Sequence, residues 1–387
     1  MAYSTFSHVR VDGISAVVPA EERRIEEDLV FMGRNVKKAH RMTKIAGIDR
    51  RRVAAKGVTP SDLCYQAAEC LLNDIRLEKS SIDALIFVTQ HPDYILPASA
   101  CILQDRLGLS KHCAAFDVNQ GCAGYVYGLW LASSLVESRA ATHVLLLAGD
   151  GLSRLYDKKN LVTAPIFGDC GTATVLTYSQ RETRSFFVLG TDGGGAETLI
   201  VPAGGARIPL PLDQEAYAPL CETLVDEQGT PWRLNWTYMD GGAIFDFAMD
   251  IVPEHISKAL QYAQKNEYDI DFLVLHQANK QIISAIAKQL NFPLEKVPME
   301  SFSKYGNTAV ASIPTAICSE LASKINNSTA RLVLSGFGVG LSWATAVLEL
   351  DHACCDNVRE YVTPDKVHTP EELVSYWQKK ISGDRHI

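Results

Sequence analysis

The sequence predicts an α/β protein made of two duplicated halves, and three observations carry that prediction. Short apolar runs of four to eight residues, bounded by Gly, Asp and Asn, alternate with longer stretches of helical periodicity. This is the pattern of strands buried on both faces and of the helices that cover them. Two intervals then recur along the chain. Leu85 and Cys122 are 37 positions apart, and Phe272 and Asn307 are 35 apart; Cys122 to Asp150 and Asn307 to Ser335 are both 28. Like elements fill these intervals in like order: a strand, a helix, a further short strand, a glycine-containing turn, a helix, and a strand ending at a glycine.

The strand candidates follow in chain order: 84–89 (ALIFVT), 114–118 (AAFDV), 143–148 (HVLLLA), 172–177 (TATVLT), 272–275 (FLVL), 331–334 (RLVL) and 344–350 (ATAVLEL). The helix candidates between them are 60–73, 124–137, 243–266, 280–290 and 309–325. The two glycine turns are NQGCAG around Cys122 and KYGNTA around Asn307. A pseudo-twofold that relates the halves would set these turns side by side, so that Cys122 and Asn307 face a single site.

With 387 residues the chain is long enough to bury a full core. A hydrophobic share of 47% and a charged share of 21% exclude disorder, collagen and coiled coil. A net charge of -8, from 37 basic and 45 acidic residues, opposes a broad polyanion-binding surface, so no nucleic-acid partner is expected. The ten cysteines form no disulfide framework and no paired CxxC elements, and Cys354 and Cys355 lack partners at zinc-ligand spacing, so no metal is expected. The first residues, MAYSTFSHVRVDG, have no apolar core of a leader, and no run is long enough to span a bilayer. A cytoplasmic protein without a membrane partner is the expectation.

Four segments carry chemistry. Cys122 stands directly after a strand and directly before a helix, where unpaired backbone N–H groups and the helix dipole favour a thiolate and would lower its pKa towards neutrality. Gly121 and Gly124 allow the sharp turn and the approach of a substrate. A small buried cysteine is the plain alternative. His276 ends the run FLVL, at the carboxyl end of a strand, where open α/β sheets place ligands; it suits hydrogen bonding or proton transfer near neutral pH, or a capped structural role. Asn279 and Asn307 each read as helix N-caps or as polar groups of a site. Residues 336–343 (GFGVGLSW) form a glycine-rich turn with no helix after it, which weakens a phosphate cradle and suits a backbone N–H aimed at an oxyanion.

Taken in order, Cys122 in GCAGY, His276 in HQAN, Asn307 in YGNTA, the Phe167-Gly168-Asp169 turn, Leu96-Pro97-Ala98-Ser99 and FGVGLSW resemble the β-ketoacyl-acyl-carrier-protein synthase III family of the thiolase superfamily over about residues 8 to 350. The resemblance implies a thiolase-like five-layered αβαβα fold and a homodimer. Its parts would be a first half over 1–180 with the nucleophile, a second over 181–350 with His and Asn, and an extension over 351–387. It implies that Cys122, His276 and Asn307 are catalytic, that the oxyanion is held by the backbone N–H groups of Cys122 and Val339, and that Leu96, Phe245, Gln277, Ala278, Asn279 and Gly338 border the substrate. No cofactor is implied, since the phosphopantetheine arm comes with the substrates, an acyl-CoA or acyl-carrier-protein donor and a malonyl-type thioester. The implied reaction is decarboxylative Claisen condensation in fatty-acid or specialised lipid biosynthesis. Ester or amide formation without decarboxylation, and a non-catalytic partner subunit, are the alternatives.

Some positions depart from the family pattern. The Trp and Arg that clamp the CoA adenine align with Arg41 and Ile45, and a Lys and Arg that receive carrier protein align with Asp246 and Gln281. Leu96 stands at a gate that is aromatic in short-chain members, which would admit longer or branched acyl groups. The segment 203–238, with Pro209, Pro211, Trp232 and Trp236, exceeds the family core and is placed near the pantetheine entrance. In the tail, Thr369-Pro370-Glu371-Glu372 followed by Leu373, Val374, Tyr376, Trp377 and Ile381 reads as a capped, docked helix.

Overall fold

The structure, a computed structural model, describes residues 2–31, 36–156, 158–160, 162–210, 218, 222–227, 229–364 and 367–382. Two sheets organise it. The first runs Cys354–Cys355, Val9–Val18, Cys170–Tyr178, His143–Asp150, Ala84–Val88, Ala114–Val118, and Arg359–Glu360 also pairs with Val9–Val18. The second runs Ala2–Phe6, Ser185–Thr191, Ser342–Asp351, Thr329–Gly338, Phe272–Leu275.

The duplication is visible strand by strand. Ala84–Val88 lies parallel to His143–Asp150, which pairs antiparallel with Cys170–Tyr178. In the same way Phe272–Leu275 lies parallel to Thr329–Gly338, which pairs antiparallel with Ser342–Asp351. The match fails at one edge, where the short strand expected between Gln289 and Asn307 does not form. Pro293 and Pro298 flank a single helical turn, Leu294–Lys296, and neither proline can donate to a ladder. The Pro298 carbonyl instead accepts Gln277 Nε2 at 3.2 Å.

Helices Gly124–Glu137 and the segment 309–327 lie between the sheets, and their apolar side chains share one core with both. Helices Pro60–Asp74 and Ser99–Arg106 cover the outer face of the first sheet. Helices Gly241–Tyr262 and Lys280–Gln289 cover the outer face of the second. The result is the five-layered αβαβα arrangement. The expected helix 309–325 is split into Ala309–Ala311, Ser312–Ala316, a wider turn at Ile317–Leu321, and Ala322–Asn327. Pro314 lacks the N–H that would bond the carbonyl of Val310, so the chain winds tighter before it.

The chain termini cross the expected division at residues 180 and 350. Ala2–Phe6 pairs with Ser185–Thr191 of the second half. Cys354–Cys355 and Arg359–Glu360 pair with Val9–Val18 of the first, so the start of the extension belongs to the core sheet. The tail does contain a capped helix, Pro370–Ser382, with Thr369 Oγ1 and Glu372 exchanging the two capping hydrogen bonds. Within its own chain its Val374, Tyr376, Trp377 and Ile381 are exposed, and Lys56 pairs with Glu371 of its first turn at 2.5 Å. From the segment 203–238, Thr237 N–H donates to the Leu155 carbonyl and the Pro231 carbonyl accepts Asn160 Nδ2, both at 2.8 Å. Trp232 and Trp236 are half-buried there, whereas Pro211 lies outside the described residues.

Candidate active site

The nucleophile turn is built by close contact between the halves. Cys122 follows strand Ala114–Val118 and stands two residues before helix Gly124–Glu137, and its side chain is buried. Strand Thr329–Gly338 of the second half lies against it. A Cβ on Gly336 would sit 2.8 Å from Cα of Ala123, and one on Gly338 would sit 2.7 Å from the Cys122 sulfur. Gly338 also has φ +152°, a backbone that L side chains rarely adopt, so glycine is required twice over. The backbone N–H groups of Val339 and of Cys122 itself act on the sulfur and favour its anion, but burial outweighs them and pushes the Cys122 thiol up to about 11, with Asp150 adding to the rise. The expected fall towards neutrality is therefore not found, because the covering strand removes the solvent that would stabilise a thiolate.

His276 follows strand Phe272–Leu275 and is tied to the same covering strand, its N–H donating to the Ser335 carbonyl at 2.8 Å. Its ring stands edge-on to Phe337, and Nδ1 lies 2.7 Å from Ser312 Oγ. Burial lowers its pKa to about 4, so the imidazole is neutral near pH 7. The neighbours then choose the tautomer. Gln277 N–H donates to Ser312 Oγ at 3.4 Å. In the arrangement that also uses the Ser312 hydroxyl proton, Ser312 donates to Nδ1 and Nε2 carries the imidazole proton.

Asn307 bridges to Phe167: its N–H donates to the Ile166 carbonyl at 2.8 Å and its carbonyl accepts Gly168 N–H at 3.1 Å. Gly168 is forced, since a Cβ there would meet the Tyr305 carbonyl at 1.9 Å. Asp169 pins the turn by accepting Ala54 N–H and the N–H and hydroxyl of Ser153. The Asn307 side-chain oxygen accepts Ala309 N–H at 2.9 Å, which fixes the amide and leaves Nδ2 as a donor.

The remaining expected residues divide. Gly338 and Val339 lie at the sulfur. Phe245 is half-buried on helix Gly241–Tyr262 in the outer core of the second half, as is Ala278 beside His276. Asn279 caps helix Lys280–Gln289 through Ile282 N–H and lines a groove of about 740 Å³ with Met42, Ile45, Ile48, Ile166 and Gln281. Ile166 is also the residue that accepts the Asn307 N–H, so this groove abuts the site. Gln277 is corrected: its Nε2 donates to the Leu275 and Pro298 carbonyls and its Oε1 accepts the Ser301 hydroxyl, so the amide is spent inside the fold. Leu96 is 79% exposed, and its neighbour Ile95 97%, so Leu96 walls no tunnel within its own chain.

Comparison with known proteins agrees with this geometry. Residues 116–196 match the family described as 3-oxoacyl-[acyl-carrier-protein (ACP)] synthase III, and residues 260–350 match its C-terminal part. The β-ketoacyl-[acyl-carrier-protein] synthase III of Rhodopirellula baltica is 34% identical over 358 residues, covering 88% of this chain and 97% of that protein. The chain belongs to the β-ketoacyl-acyl-carrier-protein synthase III family. A second relative in this synthase III family, from Chlamydia caviae, is 39% identical over 304 residues, 78% of this chain and 86% of the relative. A crystal structure of 3-oxoacyl-(acyl-carrier protein) synthase from Burkholderia xenovorans superposes with a TM-score of 0.84 at 36% identity, covering 93% of this chain and 99% of that one.

Within this synthase III scaffold the sequence reading missed Ser312 and Asp150. Ser312 sits in the small-residue stretch AVASIPTA, where nothing marks it. Asp150 carried a signal, a carboxylate closing an apolar strand at its carboxyl end. Among the described residues, no helix is long and apolar enough to cross a membrane and no group of three or more His, Cys, Asp or Glu could hold a metal ion. The nine described cysteines are free thiols.

Proposed function

We propose that this chain joins an acyl group carried on Cys122 to a malonyl-type thioester, releasing carbon dioxide and a β-ketoacyl thioester. The observation that carries the proposal is one strand, Thr329–Gly338, against which Cys122 packs at Gly338 and to which His276 is bonded at Ser335. A buried thiol that is pushed up does not wait as a thiolate, so its proton leaves as the sulfur attacks the donor carbonyl. The new S–C bond forms, the donor C–S bond breaks, and the proton leaves with the departing thiol. The N–H groups of Cys122 and Val339 hold the oxyanion.

The malonyl carbonyl oxygen then lies between His276 Nε2–H and Asn307 Nδ2. Loss of carbon dioxide leaves an enolate, whose charge these two neutral donors stabilise. A neutral imidazole suits this role, since a protonated one could no longer accept from Ser312. The enolate carbon attacks the acyl thioester, the Cys122 C–S bond breaks, and the sulfur leaves as a thiolate that takes a proton from solvent.

For the donor, a carrier protein fits better than free CoA. Lys37, Arg41 and Lys44 form an exposed basic stripe on helix Val36–Ala46, directly beside the groove-lining Met42 and Ile45. No aromatic ring lines that groove among the described residues, so nothing there stacks on an adenine. Acidic Glu26, Glu27 and Asp49 stand on neighbouring segments and limit the stripe to one edge. Incubation with acyl-carrier and acyl-CoA panels, read by mass spectrometry, tests the assignment. One acyl mass should appear on the Cys122 peptide and be lost in Cys122→Ala, and labelling of that variant would move the nucleophile elsewhere.

A further inference from the structure

Asp150 closes strand His143–Asp150 and is wholly buried. Its Oδ1 accepts Gln90 N–H at 2.8 Å and the Thr89 hydroxyl at 3.3 Å; its Oδ2 accepts Gln90 Nε2 at 2.9 Å and Val310 N–H at 3.4 Å. These donors come from both halves. Gln90 leans on the nucleophile turn, for a Cβ on Gly121 would meet its Oε1 at 2.6 Å. Val310 follows Ala309, whose N–H holds the Asn307 amide. Thr89 and Gln90 also root the loop that presents Leu96.

Resting on the condensing reading above, we propose that Asp150 is a positioning residue for both half-reactions, its carboxylate locking the Cys122 turn through Gln90 and the Asn307 turn through Val310. A buried carboxylate that gathers four donors fixes them more firmly than a neutral acceptor would, and its loss leaves those donors unpaired. The electrostatics support geometry as the purpose. Asp150 is a negative charge that raises the Cys122 thiol, so its direct effect opposes the nucleophile. A group retained there against that effect contributes through the contacts it makes. The other titratable side chains facing Asp150 are His91, with Nδ1 at 3.7 Å, Cys64, and Cys170 opposite it on the next strand; Asp93 acts on the same Cys64.

The test compares Asp150→Asn and Gln90→Met with wild type in three measurements: acylation of Cys122 by an acyl-pantetheine, carbon dioxide release from malonyl-pantetheine, and the pH profile of Cys122 alkylation by iodoacetamide. Wild-type acylation is the reference, and its failure would dismiss the condensing reading rather than this one. Asp150→Asn should slow both half-reactions about 10- to 100-fold, the weight of a hydrogen bond to a charged acceptor, while the alkylation profile moves to lower pH. Gln90→Met keeps the carboxylate and should slow acylation alone. The profile shift reports loss of the charge alone; a purely structural role would lower the melting temperature of Gln90→Met and slow acylation and carbon dioxide release equally. Wild-type rates for Asp150→Asn in either half-reaction, or unchanged acylation in Gln90→Met, would overturn the proposal, and the Gln90 variant decides it if the Asp150 variant does not fold.

Discussion

Ser312 Oγ lies 2.7 Å from Nδ1 of His276, and both side chains are buried. The contact decides which imidazole nitrogen faces the site. Ser312→Ala would free the ring to adopt either tautomer and leave Nδ1 unpaired. We expect carbon dioxide release to fall about 10- to 100-fold, with acylation of Cys122 nearly unchanged. An equal loss in both steps would show that Ser312 serves the fold and not the histidine.

Gly338 should tolerate no side chain. An alanine methyl would lie 2.7 Å from the Cys122 sulfur on a backbone of φ +152°. Gly338→Ala is expected to slow acylation and to cost about 1 to 3 kcal/mol of stability through overpacking. A chemical denaturation curve and an acylation time course together check this, and a silent variant would mean that strand and sulfur are further apart than described.

Two buried histidines give the stability a pH signature. Burial holds His276 and His255 at about 4, below the ordinary 6.5. Each therefore takes up a proton on unfolding, so stability is full above about pH 6.5 and falls as the pH drops towards 4. Each full protonation is worth on the order of 3 kcal/mol. Melting temperature followed from pH 7.5 to 4.5 should drop, and drop less in His276→Gln. A flat curve, or an equal slope in the variant, contradicts the assignment.

Leu96 and Ile95 are an apolar pair in solvent, on a loop whose root is fixed by Asp93 N–H donating to Ser99 Oγ and by the Ser61 hydroxyl donating to the Asp93 carboxylate. If a second copy of the chain covers them, Leu96→Glu should weaken self-association at least about tenfold, since it would bury a charge. Sedimentation velocity across a dilution series reads this out. An unchanged monomer–dimer balance would remove Leu96 from any interface between copies.

Much of this architecture was legible because apolar runs such as ALIFV and HVLLL are buried on both faces and so lack polar interruptions. Strands Val9–Val18 and Ala2–Phe6 were not, since Arg10, Asp12 and Ser15 interrupt the first and AYSTF is a polar edge. The turns around Cys122 and Asn307 were legible from their glycines, and the duplication placed them together. The acidity of Cys122 was not. The helix N-terminus is local and readable, but the strand that buries the sulfur comes from the other half of the chain. Gln277 misled for a related reason: its neighbours His276 and Asn279 border the site, while its own partners, Pro298 and Ser301, lie on a later segment.

The central claim separates two jobs, acylation at Cys122 and decarboxylation at His276 and Asn307. Labelled carbon dioxide release from a malonyl carrier, measured in wild type, His276→Ala and Asn307→Ala with acyl-enzyme followed in parallel, tests it most directly. Removing either donor should cut release about 100- to 1000-fold while acyl-Cys122 still accumulates. Product formed by the wild type without release of carbon dioxide would contradict the account and turn His276 into a base for acyl transfer to an alcohol or amine.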